Sequence, residues 1–159
     1  MKTAIVFVSN HGATESVALK LAHALGVNPS DVINLRKSQR FDPDQYDRIV
    51  IGGSIHAGHI QRRVKDFCKT YTADLLRRQL GLFVCCMHTG AQAQQQFEYN
   101  FPELLRLHSS SNKIMGGAFD FEKMNWFEKM IVKKVAGVTQ TTSMLDEQQV
   151  ADMVAELTR

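Results

Sequence analysis

Residues 4–18 read Ala4-Ile5-Val6-Phe7-Val8-Ser9-Asn10-His11-Gly12-Ala13-Thr14-Glu15-Ser16-Val17-Ala18, and their order predicts three things in succession. The apolar run from Ala4 to Val8 predicts a buried strand. A short polar loop with one glycine follows. Beyond it Val17, Leu21, Ala22 and Leu25 recur at helical spacing. A strand, a tight loop and a helix start rich in hydroxyl and amide side chains direct free N–H groups, the positive end of the helix dipole and the Ser9 and Thr14 hydroxyls to one spot. That spot suits a phosphate. No Gly-Lys-Ser/Thr closes the loop and no G-x-G-x-x-G is present, so it is neither a Walker loop nor a dinucleotide fingerprint. An ordinary turn capped by Ser or Asn reads much the same, so the rest of the chain must decide.

Apolar runs and helical patterns alternate to the end. Strands are expected at Thr3–Val8, Asp31–Leu35, Arg48–Gly52, Gly81–Met87 and Lys113–Phe119. Helices are expected at about Thr14–Gly26, Arg62–Arg78, Ala91–Leu107 and Glu147–Leu157. The first, third and fourth strands are nearly continuous in apolar residues, as in a parallel sheet covered on both faces. The reading is an α/β, doubly wound, five-stranded parallel sheet of order 2-1-3-4-5, in one domain spanning 1–159. Its first and third strands flank the switch point where ligands bind.

Two further loops then share an edge with the first. The third strand ends Gly52-Gly53-Ser54-Ile55-His56-Ala57-Gly58-His59, where two glycines would let backbone approach a planar ring and Gly58 suits a positive φ. The fourth ends Met87-His88-Thr89-Gly90. A phosphoacceptor receiver domain shares the topology but needs acids where this chain has Ser9-Asn10 and Gly52-Gly53. His11, His56, His59 and His88 fall in these loops; they are capping or solvated imidazoles, donors near a ligand ring, or metal ligands. No carboxylate accompanies them and their spacing is not ligand-like, so no metal is expected.

The stretch at about 122–136 exceeds the minimal plan. Met124, Phe127, Ile131 and Val135 form a helical stripe, beside Trp126, Met130, Lys129, Lys133 and Lys134. It is an amphipathic helix packed on its own domain, or one whose apolar side meets a membrane or apolar substrate while its lysines meet anions.

The 159 residues are 44% hydrophobic and 22% charged, a globular composition. No run approaches the roughly 20 apolar residues of a membrane span, and no signal peptide is legible, so a cytoplasmic protein is expected, with peripheral contact to the inner membrane face left open. A net charge of +3 is too weak and dispersed to imply nucleic acid. The cysteines Cys68, Cys85 and Cys86 form no C-x-x-C and read as small buried hydrophobes.

With these residues in hand, the chain resembles the flavodoxin-like proteins, and within them the menaquinone-dependent protoporphyrinogen IX dehydrogenases. The likeness runs over nearly the whole chain. Ser9-x-x-Gly12-x-Thr14 is similar to the phosphate loop of flavodoxins at large. Tyr46 to His59 follows the subgroup's Y-D-R-V-V-I-G-A-S-I-x-x-G-H pattern, with His56-Ala57 in place of an Arg-Tyr pair. Trp126 to Lys133 is similar to its added helix. The resemblance implies FMN, held by Ser9, Asn10, His11, Gly12, Ala13 and Thr14, by Ser54, Ile55, His56, Ala57, Gly58 and His59, and by Met87, His88, Thr89 and Gly90. FAD is not expected, because no second nucleotide fingerprint exists. It also implies oxidation of a tetrapyrrole, a quinone acceptor, and a substrate or membrane role for Trp126, Phe127, Lys129, Met130, Lys133 and Lys134. No catalytic acid or base is identifiable. The competing reading is a flavodoxin acting as a soluble electron carrier, against which stand the pI of about 8.8 and the added helix.

Overall fold

A computed structural model describes residues 1–38, 40–116, 118–119, 142–143 and 146–159. The expected amphipathic stretch at 122–136, with Trp126 and its neighbours, lies outside the described residues. The described elements run β1 (Thr3–Phe7), α1 (Ala13–Leu25), β2 (Val32–Asn34), β3 (Arg48–His56), β4 (His59–Ile60), α2 (Arg62–Thr70), α3 (Thr72–Leu75), β5 (Gln79–Cys85), α4 (Gly90–Asn100), α5 (Glu103–His108), β6 (Ser111–Ile114), β7 (Ala118–Phe119), β8 (Thr142–Ser143) and α6 (Glu147–Leu157). The main sheet is ordered β2-β1-β3-β5-β6 and those five strands are parallel. Counting only parallel strands, this is the expected 2-1-3-4-5 order. The short β4 pairs antiparallel on the end of β3, and β7 and β8 form a separate two-stranded pair.

Both faces of the sheet are dry, and side-chain alternation along each strand divides the core in two. Ala4, Val6, Ile49, Ile51, Leu80, Leu82 and Val84 meet Val64 and Phe67 of α2, Leu75 of α3, Phe97 of α4 and Leu105 of α5. Ile5, Phe7, Val50, Phe83 and Cys85 meet Val17, Ala18 and Leu21 of α1 and Val150, Met153 and Leu157 of α6. At the edge opposite the candidate loops, buried Arg48 ties the layers together. Its guanidinium donates to Gln79 Oε1 at 2.7 Å, Thr3 Oγ1 at 3.2 Å and the Leu157 carbonyl at 2.6 Å. It thereby holds the end of α6 against the sheet.

Several expected elements differ in extent. Arg62–Arg78 is two helices, broken at Tyr71, whose ring packs with Phe41 and Phe67 and whose hydroxyl donates to the Phe41 carbonyl. Ala91–Leu107 is also two helices. Pro102 disfavours helical backbone at the residue before it, and Phe101 is extended with φ −109° and ψ 137°. Strand 81–87 begins earlier and ends at Cys85, while Lys113–Phe119 divides into β6 and β7.

Gly52 and Gly53 have a different reason from the expected approach to a ligand ring. A Cβ on Gly52 would lie 2.0 Å from the Phe83 ring, its register partner on β5. One on Gly53 would lie 2.7 Å from Ile60 and 2.8 Å from Gln61 Oε1. The protein's own side chains fill that space. Gly52→Ala should therefore cost about 1–3 kcal/mol or more through overpacking. Adding Phe83→Leu should recover part of the loss, and urea unfolding of the single and double variants checks it.

Candidate functional site

The register sets the site. Phe7, the last residue of β1, lies opposite Gly52, and Cys85, the last of β5, opposite Ser54, so β1 and β5 finish along one edge and β3 runs on beyond them to His56. All three expected loops open there.

In the first loop, Gly12 stands at the N-cap of α1 with φ 95°, a conformation that favours glycine. The loop is closed from within: Ser9 Oγ accepts from the Gly12 N–H at 3.1 Å. Ser9 thus acts within the loop as an acceptor, and its hydroxyl proton remains to be donated. Ser9 holds the loop's shape, and Thr14 is buried beside the Cys85 thiol. What the loop offers is a helix start with no side-chain cap and a buried Thr14 hydroxyl lacking a nitrogen or oxygen partner. Ala13 is buried, His11 and Gly12 are half-buried, and Asn10 is exposed.

The second segment is not the loop expected. β3 continues through Ser54, Ile55 and His56 and turns back into β4 through a two-residue hairpin. Ala57 at φ 50° and Gly58 at φ 82° supply the positive φ at both central residues that such a tight turn requires. Two buried or half-buried amides hold it. Gln61 accepts from the Ser54 N–H at 2.9 Å and donates to Ser54 Oγ at 2.6 Å. Asn100 accepts from the Ile60 N–H at 2.9 Å and donates to the Gly58 carbonyl at 3.0 Å and the Gln96 carbonyl at 2.7 Å. With Gln61 Nε2 donating to the Ser54 hydroxyl oxygen, Ser54 Oγ also lies 3.0 Å from His56 Nε2.

The hairpin and the first loop meet at His11 and His56, whose ring centroids lie 5.7 Å apart, edge to face. The other two histidines go elsewhere: His59 packs its ring against Tyr99, and His88 is exposed. In the third loop Met87 is half-buried, Thr89 and Gly90 are exposed, and Gly90 begins α4 with φ 59°. No side chain caps α4 either. Among the described residues no group of three His, Cys, Asp or Glu side chains is placed to hold a metal ion.

Sequence reading missed Arg36, Gln61 and Asn100. Arg36 donates from Nη1 to the Ser9 carbonyl at 3.3 Å, which places a guanidinium beside the first loop. The strand order contained that signal, because β2 neighbours β1 and its end must lie beside Ser9. Arg63 donates to the Leu35 carbonyl at 3.4 Å, so α2 adds to the same border. Two guanidiniums, Arg36 and Arg63, thus stand along that border. Burial pushes the Cys85 thiol up to about 12, and Cys86 upward as well, so neither is a nucleophile at neutral pH. The larger hollows lie elsewhere, one between α1 and α6 around Leu19 and Val154.

Comparison with known proteins adds the decisive observation: residues 4–146 match the model of the flavodoxin domain family. The chain belongs to that family. It is also 26% identical to protoporphyrinogen IX dehydrogenase [quinone] of Escherichia coli K12, over 99% of this chain and 94% of the relative. Oxidised flavodoxin 1 from Bacillus cereus superposes with a TM-score of 0.58 at 15% identity, covering 99% of this chain and 97% of that one. Two-electron reduced Megasphaera elsdenii flavodoxin gives 0.54 at 17% identity, covering 70% and 84%. As a flavodoxin domain the chain is an FMN protein. The fit is physical too, since a phosphate over the uncapped start of α1 meets free amides and supplies acceptors that the Thr14 hydroxyl lacks.

Two predictions follow from this geometry. Thr14→Glu should abolish FMN retention, because it sets a like charge where the phosphate needs donors; flavin absorbance after reconstitution and gel filtration reads the outcome. Ala57→Gly should raise stability by about 1 kcal/mol by relieving the left-handed backbone, seen as a higher denaturation midpoint.

Proposed function

We propose that the chain is an FMN-dependent oxidoreductase that removes hydrogen from a tetrapyrrole of the protoporphyrinogen type and passes the electrons to a quinone. The observation that carries this reading is likeness to the quinone-linked dehydrogenase across 99% of this chain and 94% of the relative, which includes the stretch around Trp126. The charge beside the first loop supports it: Arg36 and Arg63 suit an anionic substrate or surface. A carrier that docks basic partners would want an acidic rim there.

Hydride acceptance is chemistry that FMN supplies when bound. The chain's own residues bind, orient and shield. The Ser9–Gly12 turn and the start of α1 hold the phosphate, with Thr14 as an additional donor and Arg36 as a nearby cation. The hairpin from Ser54 to His59 and the Met87–Gly90 loop border the ring. Gln61, through Ser54, fixes the position of His56 at that edge. The basic, Trp-bearing sequence at Trp126, Phe127, Lys129, Met130, Lys133 and Lys134 suits contact with an anionic membrane where a quinone resides. No helix among the described residues is long and apolar enough to cross a membrane.

An electron-carrier role is the second reading, favoured by the likeness of the fold to the Bacillus cereus flavodoxin along its whole length. Quinone-coupled oxidation of protoporphyrinogen IX separates the two. The FMN-loaded protein should turn over, and a loaded protein that reduces redox proteins yet leaves protoporphyrinogen IX untouched returns the chain to the carrier class. Replacing Lys129, Lys133 and Lys134 together with Gln should weaken co-sedimentation with anionic vesicles, each lysine contributing about 1 kcal/mol.

A further inference from the structure

Arg36 is exposed, yet its backbone is held from three directions. β2 ends at Asn34, and the chain turns there. Asn34 Oδ1 accepts from the Arg36 N–H at 3.0 Å, and its carbonyl accepts from the N–H groups of Lys37 at 2.9 Å and Ser38 at 3.1 Å. The Leu35 N–H donates to the Phe7 carbonyl at 2.9 Å, which keeps this turn beside the end of β1. Arg63 of α2 donates to the Leu35 carbonyl at 3.4 Å. From that fixed peptide the Arg36 side chain reaches the first loop and donates from Nη1 to the Ser9 carbonyl at 3.3 Å. Ser9 is also the residue whose hydroxyl accepts from Gly12 at the N-cap of α1. One residue therefore links the guanidinium to the uncapped helix start.

A guanidinium carries five N–H donors. Among the described residues that of Arg36 meets one neutral carbonyl and forms no ion pair with a carboxylate. Glu15, the acid in the first turn of α1, lines a hollow beside β2 together with Lys37. We propose that Arg36 is the charged member of the FMN phosphate site and sets the preference for FMN over riboflavin. The first loop contains no lysine, and a helix start supplies only about half a unit of positive charge. A phosphate monoester carries about −1.5 to −2 at neutral pH, so those amides leave most of it uncompensated. Arg36 adds a full charge that stays on at any ordinary pH, with donors left for a charge-assisted bond. Riboflavin has no phosphate and gains nothing from it. The proposal rests on the FMN assignment above and does not depend on which substrate is oxidised.

Full-length protein freed of flavin, titrated with FMN and with riboflavin and followed by quenching of flavin fluorescence, tests the proposal. Arg36→Gln should weaken FMN binding by about tenfold and leave riboflavin unchanged. Arg36→Lys should recover part of the loss, because it returns the charge without the planar fork. The gap between wild type and Arg36→Gln should narrow as KCl is raised, since salt screens a charge but does not restore the shape of a loop. FMN affinity unchanged in Arg36→Gln overturns the proposal. So does a loss that is equal for the two flavins or indifferent to salt, which would leave Arg36 only a brace on the Ser9 carbonyl. A wild type that binds neither flavin overturns the FMN assignment itself, and the proposal with it.

Discussion

The ligand edge depends on one constraint, the parallel register of β3 between β1 and β5. Parallel strands cannot be joined by tight turns, so the chain crosses back between them, through α1, through α2 and α3, and through α4 and α5, and each strand ends on the same side. With Phe7 opposite Gly52 and Cys85 opposite Ser54, β1 and β5 finish close together on either side of β3, and the loops that follow share one edge. The absence of a side chain at Gly52 lets the Phe83 ring lie across β3. A methyl there would push the ring into the packing beneath α1 and α6. The geometry at the edge is therefore set from within the sheet.

Once β3 passes the sheet's end it has no further parallel partner, and its polar backbone must be satisfied locally. The hairpin with β4 does this at the cost of a left-handed alanine. Gln61 and Asn100 stabilise the result by supplying partners to backbone groups that the short β4 cannot reach. The same two amides define what the edge presents. Gln61 fixes Ser54 and through it His56, while Asn100 fixes the gap between the hairpin and α4. Around this rigid centre the exposed side chains are mostly cationic, which biases the edge toward anions without specifying one.

Much of this was legible in the chain because burial on both faces writes itself as unbroken apolar runs, as at Ala4–Val8 and Ile49–Ile51. The strand order followed from alternation with helices, and the first loop from Gly12 and its polar neighbours. The parts that escaped depend on contacts far apart in sequence. Asn100 sits in a helical pattern that gives no sign of a partner 42 residues away. The Gly52-Gly53 pair looked like room for a ligand because sequence does not show Phe83 and Ile60 filling it. The continuation of β3 to His56 was missed because polar Ser54 and His56 break the apolar run, although they alternate as strand residues do. Pro102 was readable and marks the break between α4 and α5.

The cysteines carry a practical consequence. Cys68, Cys85 and Cys86 are all buried, and burial pushes the thiols of Cys68 and Cys85 up to about 12. Alkylating reagents attack thiolate at accessible sulfur, so burial disfavours reaction at all three thiols in the folded protein. A single cysteine introduced on the exposed rim can be labelled against that background without first removing the natural three. Spectroscopic rulers can then be attached around the ligand edge while the packing beneath it stays native.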